Sequence, residues 1–155
     1  IGCKQMDAVT YPNSDVVGFI GEYVIPVRLS SDAVPAAKDF NVKWTPTLII
    51  LDSEGREHHR ATGFLAPAEL IPMVLLGLGK THFDREAFKE AIGILERLVS
   101  AHAASDSAPE AVFYHAVSRY KSTHSPQPLK EAYERLHRDY PSSEWAKRAA
   151  PYRLL

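Results

Sequence analysis

The stretch WTPTLIIL at residues 44–51 decides the fold. Its last four residues are apolar without alternation, which is typical of a strand covered on both faces in an α/β protein. Pro46 has no backbone N–H, and an X-Pro bond is the one peptide bond for which the cis form costs only about 0.5–1 kcal/mol. We therefore predict a buried strand over residues 48–51. Pro46 at its entrance is a candidate cis-proline, although an X-Pro bond taken alone is usually trans.

A hairpin is predicted to follow this strand. The turn residues DSEG at 52–55 lead into residues 57–62, a polar run that suits an exposed edge strand. His58 and His59 are adjacent, so in a strand they point to opposite faces, and no carboxylate or cysteine stands at a useful ligand spacing. We therefore predict no metal site.

The residues before this stretch predict a helix, a second helix, a strand and a third helix. Their ranges are 3–11, 16–23, 24–29 and 34–40. Ser14-Asp15 is expected to cap the second helix and Asp32 the third. The segment at residues 24–29 is short and rich in β-branched residues, which favours a strand. Pro26 within it is typical of an edge strand.

The residues after the hairpin predict helices alone. One begins at Pro67 and is expected to end at a boundary in GLGK, residues 77–80. Four more are predicted over residues 84–103, 109–121, 129–140 and 144–152. The motif Phe88-Lys89-Glu90-Ala91 recurs 41 residues later as Leu129-Lys130-Glu131-Ala132. This recurrence resembles a pair of tetratricopeptide repeats, and we expect Trp145 and Tyr140 to be buried where the two helix pairs meet.

Composition excludes several classes of function. The chain has 155 residues, 45% of them apolar, and a net charge of −1, so neither disorder nor binding to nucleic acid is expected. Its one cysteine, Cys3, rules out an internal disulfide and a multi-cysteine zinc site. The longest apolar run, residues 70–78, is far shorter than a membrane span needs, and no cofactor is predicted.

The order of these elements resembles the thioredoxin fold over residues 1–79. Gly2-Cys3-Lys4 is similar to the second half of the family's Trp-Cys-x-x-Cys-Lys motif, and Thr45-Pro46-Thr47 to its cis-proline loop. The resemblance implies that the Thr45–Pro46 bond is cis and that this loop lies against Cys3. Asp52 with Gly55 resembles its hairpin, and Gly63-Phe64 precedes its final helix. Among such proteins, the pattern is similar to the C-terminal domain of bacterial transmembrane disulfide reductases. The expected fold is a thioredoxin-like α/β domain at residues 1–79, a mixed sheet with flanking helices, followed by a small all-α tetratricopeptide-like region at 80–155.

The resemblance implies a thiol-disulfide oxidoreductase that acts on the thiols or disulfides of proteins. Cys3 is the implied catalytic residue and corresponds to the resolving cysteine of the motif. The attacking cysteine is then expected immediately before Ile1, and residues 1–155 alone are expected to be inactive. Thr45 would offer its backbone to an extended substrate, with Trp44 and Pro46 in the same binding surface. The bacterial cytoplasm is favoured over the periplasm.

Two other interpretations remain open. The chain would be a non-enzymatic interaction module if a degenerate thioredoxin fold and two helical repeats presented surfaces to a protein partner. A glutathione transferase also joins a thioredoxin-like domain to helices. That family carries Glu-Ser or Asp-Ser where this sequence has GFLA at residues 63–66, which argues against this interpretation.

Overall fold

The computed structural model describes residues 1–30 and 32–155. Its helices are α1 (Gly2–Gln5), α2 (Ser14–Tyr23), α3 (Val34–Asp39), α4 (Pro67–Asp84), α5 (Phe88–Ala101), α6 (Ala108–Thr123), α7 (Gln127–Asp139) and α8 (Glu144–Ala149). A π-helical turn over Met6–Thr10 continues α1, and a 3-10 turn over Ala150–Leu154 follows α8. Strands β1 (Thr47–Leu51) and β2 (Glu57–Thr62) pair as an antiparallel hairpin. The prediction of a mixed α/β chain is confirmed, whereas the tetratricopeptide-like pairing stays a prediction.

The chain forms two compact units, each with its own core. The first consists of Ile1–Ile49 and Arg60–Ile71, and the second of Ile50–His59 and Pro72–Leu155. The first unit buries Met6, Val16, Phe19 and Leu70. The large residues that the second unit buries are Met73, Val74, Leu75, Leu76, Leu95, Leu98, Val99, Val112, Leu129 and Leu136. The division into domains 1–79 and 80–155 stays a prediction.

The hairpin forms where it was predicted, but β1 is less buried than expected. Residues 47–50 are half-buried and Leu51 is exposed. The physical reason is that the sheet of the described residues has two strands, so β1 is not enclosed as a central strand of a large sheet would be.

The strand predicted over residues 24–29 is wrong. These residues belong to no strand, and Ile25, Val27 and Leu29 are exposed. A β-branched composition suits a strand only when a neighbouring strand supplies the hydrogen-bond ladder, so composition alone does not form one.

The predicted caps of two helices are also wrong. The Asn13 side chain caps α2, with its Oδ1 accepting hydrogen bonds from the backbone N–H groups of Asp15 and Val16 at 3.0 and 3.2 Å. Asparagine is as good a cap as serine or aspartate, so the helix begins one residue earlier than the Ser14 cap implied. Helix α3 begins after Ala33, and no side chain of the described residues caps it.

The helix end predicted at residues 77–80 is wrong as well, because α4 runs through these residues without a break. A Cβ built on Gly77 would lie 2.4 Å from Ile50 Cγ1, and one on Gly79 would lie 2.5 Å from Leu95 Cδ2. Both distances are too short for real atoms. These glycines therefore let other side chains pack on the helix backbone and do not end the helix.

Beyond α4 the four predicted helices are present, with shifted ends. The helix expected from residue 84 begins instead at Phe88, after a turn in which Glu86 has a left-handed φ of 59°. Trp145 and Tyr140 are half-buried, less than expected. The Trp145 ring lies 5.2 Å from that of Phe113, and the Tyr140 hydroxyl donates to the Ala103 carbonyl at 2.6 Å. Among the described residues no helix combines the length and apolarity that crossing a membrane requires.

His58 links the hairpin to the end of α4. Its side chain is only 6% exposed, with Nδ1 2.6 Å from Asp84 Oδ2 and Nε2 3.1 Å from Asp52 Oδ2. A neutral imidazole donates from one nitrogen only, so the protonated form satisfies both carboxylates. Burial lowers the pKa of His58, but the hydrogen bonds to Asp84 and Asp52 outweigh it and raise this pKa above its ordinary value of 6.5. The hydrogen bond from His58 holds the pKa of Asp52 far below its usual range.

We expect Gly77→Ala to lower the free energy of unfolding by about 1–3 kcal/mol, because the added methyl overlaps Ile50. Gly93→Ala on α5 is the matched control, since no heavy atom lies within 4 Å of its Cβ position. That change should stabilise by roughly 0.5–1 kcal/mol through helix propensity. Urea unfolding followed by circular dichroism measures both, and equal effects of the two substitutions would contradict the close approach.

We expect the stabilisation by His58 to depend on pH. Because its folded pKa is raised, this stabilisation is complete below about pH 6.5 and is lost as the pH rises through the folded pKa. The Asp52 contribution has the opposite sign, since its pKa is lowered, and is lost only in acid. His58→Gln should therefore cost on the order of 1 kcal/mol at about pH 6 and less at about pH 9. Urea midpoints at both pH values test this, and a constant difference would refute it.

Candidate functional site

Cys3, the implied catalytic residue, lies in the first turn of α1. It is half-buried and is not in a disulfide. The buried side of the same helical segment is fixed to Leu65: the Leu65 N–H donates to Met6 Sδ at 3.3 Å, and Thr10 Oγ1 donates to the Leu65 carbonyl at 2.5 Å. Met6 and Thr10 are both fully buried. These contacts fix where the helix places the thiol.

The loop of residues 44–47 packs on the start of α1. The Thr45–Pro46 bond is cis, as predicted. A Cβ on Gly2 would lie 2.7 Å from Pro46 Cδ and 3.8 Å from the Thr45 carbonyl oxygen. The Gly2 backbone therefore lies directly on the proline ring, and the residue beside Cys3 contacts the loop. The structure thus brings Thr45 and Pro46 close to the residue that precedes the cysteine.

Hydrogen bonds hold this loop in place on its other side. The Gly63 N–H donates to the Pro46 carbonyl at 2.8 Å, and Gly63 has a φ of +98°, a conformation that favours glycine. The Thr47 hydroxyl donates to the Trp44 carbonyl at 2.6 Å. The Gly63 that the sequence pattern singled out therefore anchors the loop from the end of β2.

Trp44 is exposed and borders an open depression. The side chain is not packed against the strand, since the residue is 69% exposed. The depression has a volume of about 410 Å³ and is lined by Ile1, Val42, Lys43, Trp44 and Thr45. An exposed tryptophan next to a concave surface offers a large apolar contact to a bound peptide. Trp44 and Thr45 thus share one surface, and their roles in binding stay predictions.

An ion pair that was not predicted forms at the π-helical turn after α1. Arg28 donates two hydrogen bonds to Asp7, from Nη1 to Oδ1 at 2.6 Å and from Nη2 to Oδ2 at 3.0 Å. The hydrogen bond from Arg28 lowers the pKa of Asp7. The four-residue spacing of Cys3, Asp7 and Tyr11 was the one available signal, because Arg28 lies in the segment that was expected to be a strand.

Within residues 1–30 and 32–155 no group of three or more histidine, cysteine or acidic side chains is arranged to hold a metal ion. The His58 ring nitrogens face carboxylates, as described above. The chemistry that the site can offer therefore comes from the Cys3 thiol, the loop backbone and the surface beside Trp44.

Comparison with known proteins gives one match. The model of a family described as a thioredoxin-like domain matches residues 1–76. The matched residues include Cys3, the loop at residues 44–47, the hairpin and more than half of α4. No curated protein and no solved structure matches the chain.

We expect Gly2→Ala to lower the free energy of unfolding by about 1–3 kcal/mol, because its methyl group would overlap the Pro46 ring. Gly21→Ala on α2 is the control, since nothing lies within 4 Å of its Cβ position. Thermal and urea unfolding compare the two variants. If Gly2→Ala were as stable as Gly21→Ala, the start of α1 would not pack on the loop.

Proposed function

Residues 1–76 belong to the thioredoxin-like domain family, and from that premise we propose that the chain exchanges thiols and disulfides with protein substrates at Cys3. One observation carries the proposal. The single thiol of the chain follows Gly2, whose backbone lies on Pro46, in the loop that also carries the exposed Trp44. A reactive sulfur beside a surface for extended peptides is the arrangement that such exchange requires.

In the chain without a second cysteine, the exchange would begin with attack by a thiolate at Cys3 on one sulfur of a substrate disulfide. A bond forms between the two sulfurs, the substrate disulfide bond breaks, and its electron pair leaves on the other substrate sulfur, which takes a proton from water. The product is a mixed disulfide between Cys3 and the substrate. A second thiol must attack this bond to release the substrate and restore Cys3.

By family resemblance we assign the partner thiol to a cysteine immediately before Ile1, separated from Cys3 by Ile1 and Gly2. In that arrangement the added cysteine attacks the substrate first, and Cys3 resolves the mixed disulfide. The electrons then come from the two thiols, which become a disulfide, and an external dithiol reduces it again. Cys3 alone can form the mixed disulfide, but an external thiol must release it.

The substrate would bind as an extended peptide along the loop. Thr45 would pair through its backbone as in β-strand addition, with Trp44 covering apolar side chains of the peptide. The depression beside Trp44 is open, which suits a polypeptide better than a small molecule enclosed on all sides. The substrate class proposed is therefore a protein disulfide or thiol near an accessible, extended segment.

An insulin-reduction assay with a small dithiol as electron source tests this function. We compare the chain, the chain extended at its N-terminus by Trp-Cys, and the extended chain with Cys3→Ser. The extended chain should reduce insulin at least about tenfold faster than the other two, because it alone has a resolving pair of thiols. Trp44→Ala in the extended chain should raise KM more than it lowers kcat, since the indole contributes binding and no chemistry.

Two outcomes would contradict the proposal in different ways. If the unextended chain matched the extended one, Cys3 would be a monothiol catalyst and the two-thiol mechanism would be wrong. If no version were active, the non-enzymatic interaction module would replace the enzyme, with the surface at Trp44 as its candidate binding site.

A further inference from the structure

Arg28 binds Asp7, which lies on the helical segment that carries Cys3. Cys3 and Asp7 are four residues apart on the helical segment that begins at Gly2, a spacing that places two side chains on one face. Tyr11 follows four residues later at the end of that segment. Arg28 reaches this face from the extended residues after α2 and is held there by its two hydrogen bonds to Asp7.

Electrostatic coupling joins these side chains. The hydrogen bond and the charge of Asp7 raise the pKa of Arg28, and a phenolate at Tyr11 or a thiolate at Cys3, where it forms, would add to the same shift. Burial raises the pKa of Tyr11, with further contributions from Asp7 and Cys3, whereas Arg28 opposes the shift. A Coulomb interaction acts equally on both partners, so the Arg28 guanidinium attracts a thiolate at Cys3.

The carboxylate of Asp7 has the opposite effect on that thiolate. It stands one helical turn from Cys3 and carries a negative charge, which repels a second negative charge on the same face. Arg28 neutralises it at 2.6 Å. Without Arg28 the Asp7 carboxylate would lose its ion-pair partner, so Arg28 offsets the negative charge that Asp7 brings to the surroundings of the thiolate.

We propose that Arg28 is a positioning residue for the reaction at Cys3, which it supports by binding the Asp7 carboxylate and offsetting its charge beside the thiolate. This inference deepens the proposed function, since it concerns the same sulfur, and it rests on that function for its biological meaning. It also implies a substrate preference. Because Arg28 offsets the Asp7 charge, the surroundings of Cys3 do not repel attacking groups or leaving thiolates that carry negative charge.

The expected effect is modest, because both partners of the ion pair are partly in water. Their side chains are 71% exposed for Arg28 and 43% for Asp7, and exposed charges are screened by salt within about 10 Å at 0.1 M. A change of about threefold in the rate of reaction at Cys3 is the size to expect at low salt. This threefold difference in rate should become much smaller at about 1 M salt, where the screening length is about 3 Å.

Alkylation of Cys3, the single thiol, measures this effect without any substrate. In the reaction the thiolate sulfur bonds to the reagent carbon while the carbon–iodine bond breaks and iodide leaves with the electron pair. Neutral iodoacetamide and anionic iodoacetate are compared on the chain, on Arg28→Gln, on Asp7→Asn and on the double variant. Arg138→Gln is the matched control, because Arg138 is also 71% exposed and donates two hydrogen bonds to an aspartate, Asp139.

At low salt we expect Arg28→Gln to slow iodoacetamide about threefold and iodoacetate by a larger factor, because the uncovered Asp7 charge repels both the thiolate and the anionic reagent. Asp7→Asn in the same chain should restore the rate, and Arg138→Gln should leave it unchanged. An unchanged or faster rate in Arg28→Gln would overturn the proposal. So would a slower rate that persists in the double variant or at about 1 M salt, since a purely structural role would produce that result.

The outcome is independent of the insulin assay. If Arg28 controlled alkylation as expected while every version failed to reduce insulin, the proposed function would be wrong and the electrostatic role would stand. If insulin were reduced and the alkylation rates did not depend on Arg28, the proposed function would stand and this inference would fail.

Discussion

The close approach of side chains to the backbone of α4 is the constraint on which the second unit depends. Ile50 from the hairpin and Leu95 from α5 occupy the space where Gly77 and Gly79 would otherwise carry Cβ atoms. Glycine in a helix interior costs about 1 kcal/mol in propensity, so these positions are tolerated only because packing offsets that cost. The helix consequently continues to Asp84, where it provides a carboxylate for the buried His58.

In the first unit, a similarly close contact at a glycine lies beside Cys3. Gly2 lies on the Pro46 ring, Gly63 binds the carbonyl of the same proline, and Leu65 bonds to Met6 and Thr10. Leu65 lies after the loop in sequence but contacts the buried side of the first helical segment. The position of the thiol relative to the loop therefore depends on contacts that span some sixty residues of chain.

The two ion-pair clusters differ in burial, and burial decides what each can do. His58 is 6% exposed and meets two carboxylates, so its charge interacts in a weakly screened environment and contributes to stability. Arg28 and Asp7 are largely in water, where an ion pair contributes little to folding. Such a pair still sets the local charge beside a neighbouring sulfur. The first cluster is therefore structural, and the second bears on the chemistry proposed for Cys3.

The sequence by itself determined the features that depend on neighbours along the chain. The turn at residues 52–55, the strands on either side of it and the helices after α4 follow from local residue types and spacing. The cis bond at Pro46 was predicted from the resemblance of its loop to that of the thioredoxin fold. The tertiary structure alone decided that residues 24–29 form no strand, that α4 continues through Gly77, and that Arg28 meets Asp7. Strand pairing, close packing on a glycine and a salt bridge across 21 residues each require a partner that no local pattern specifies.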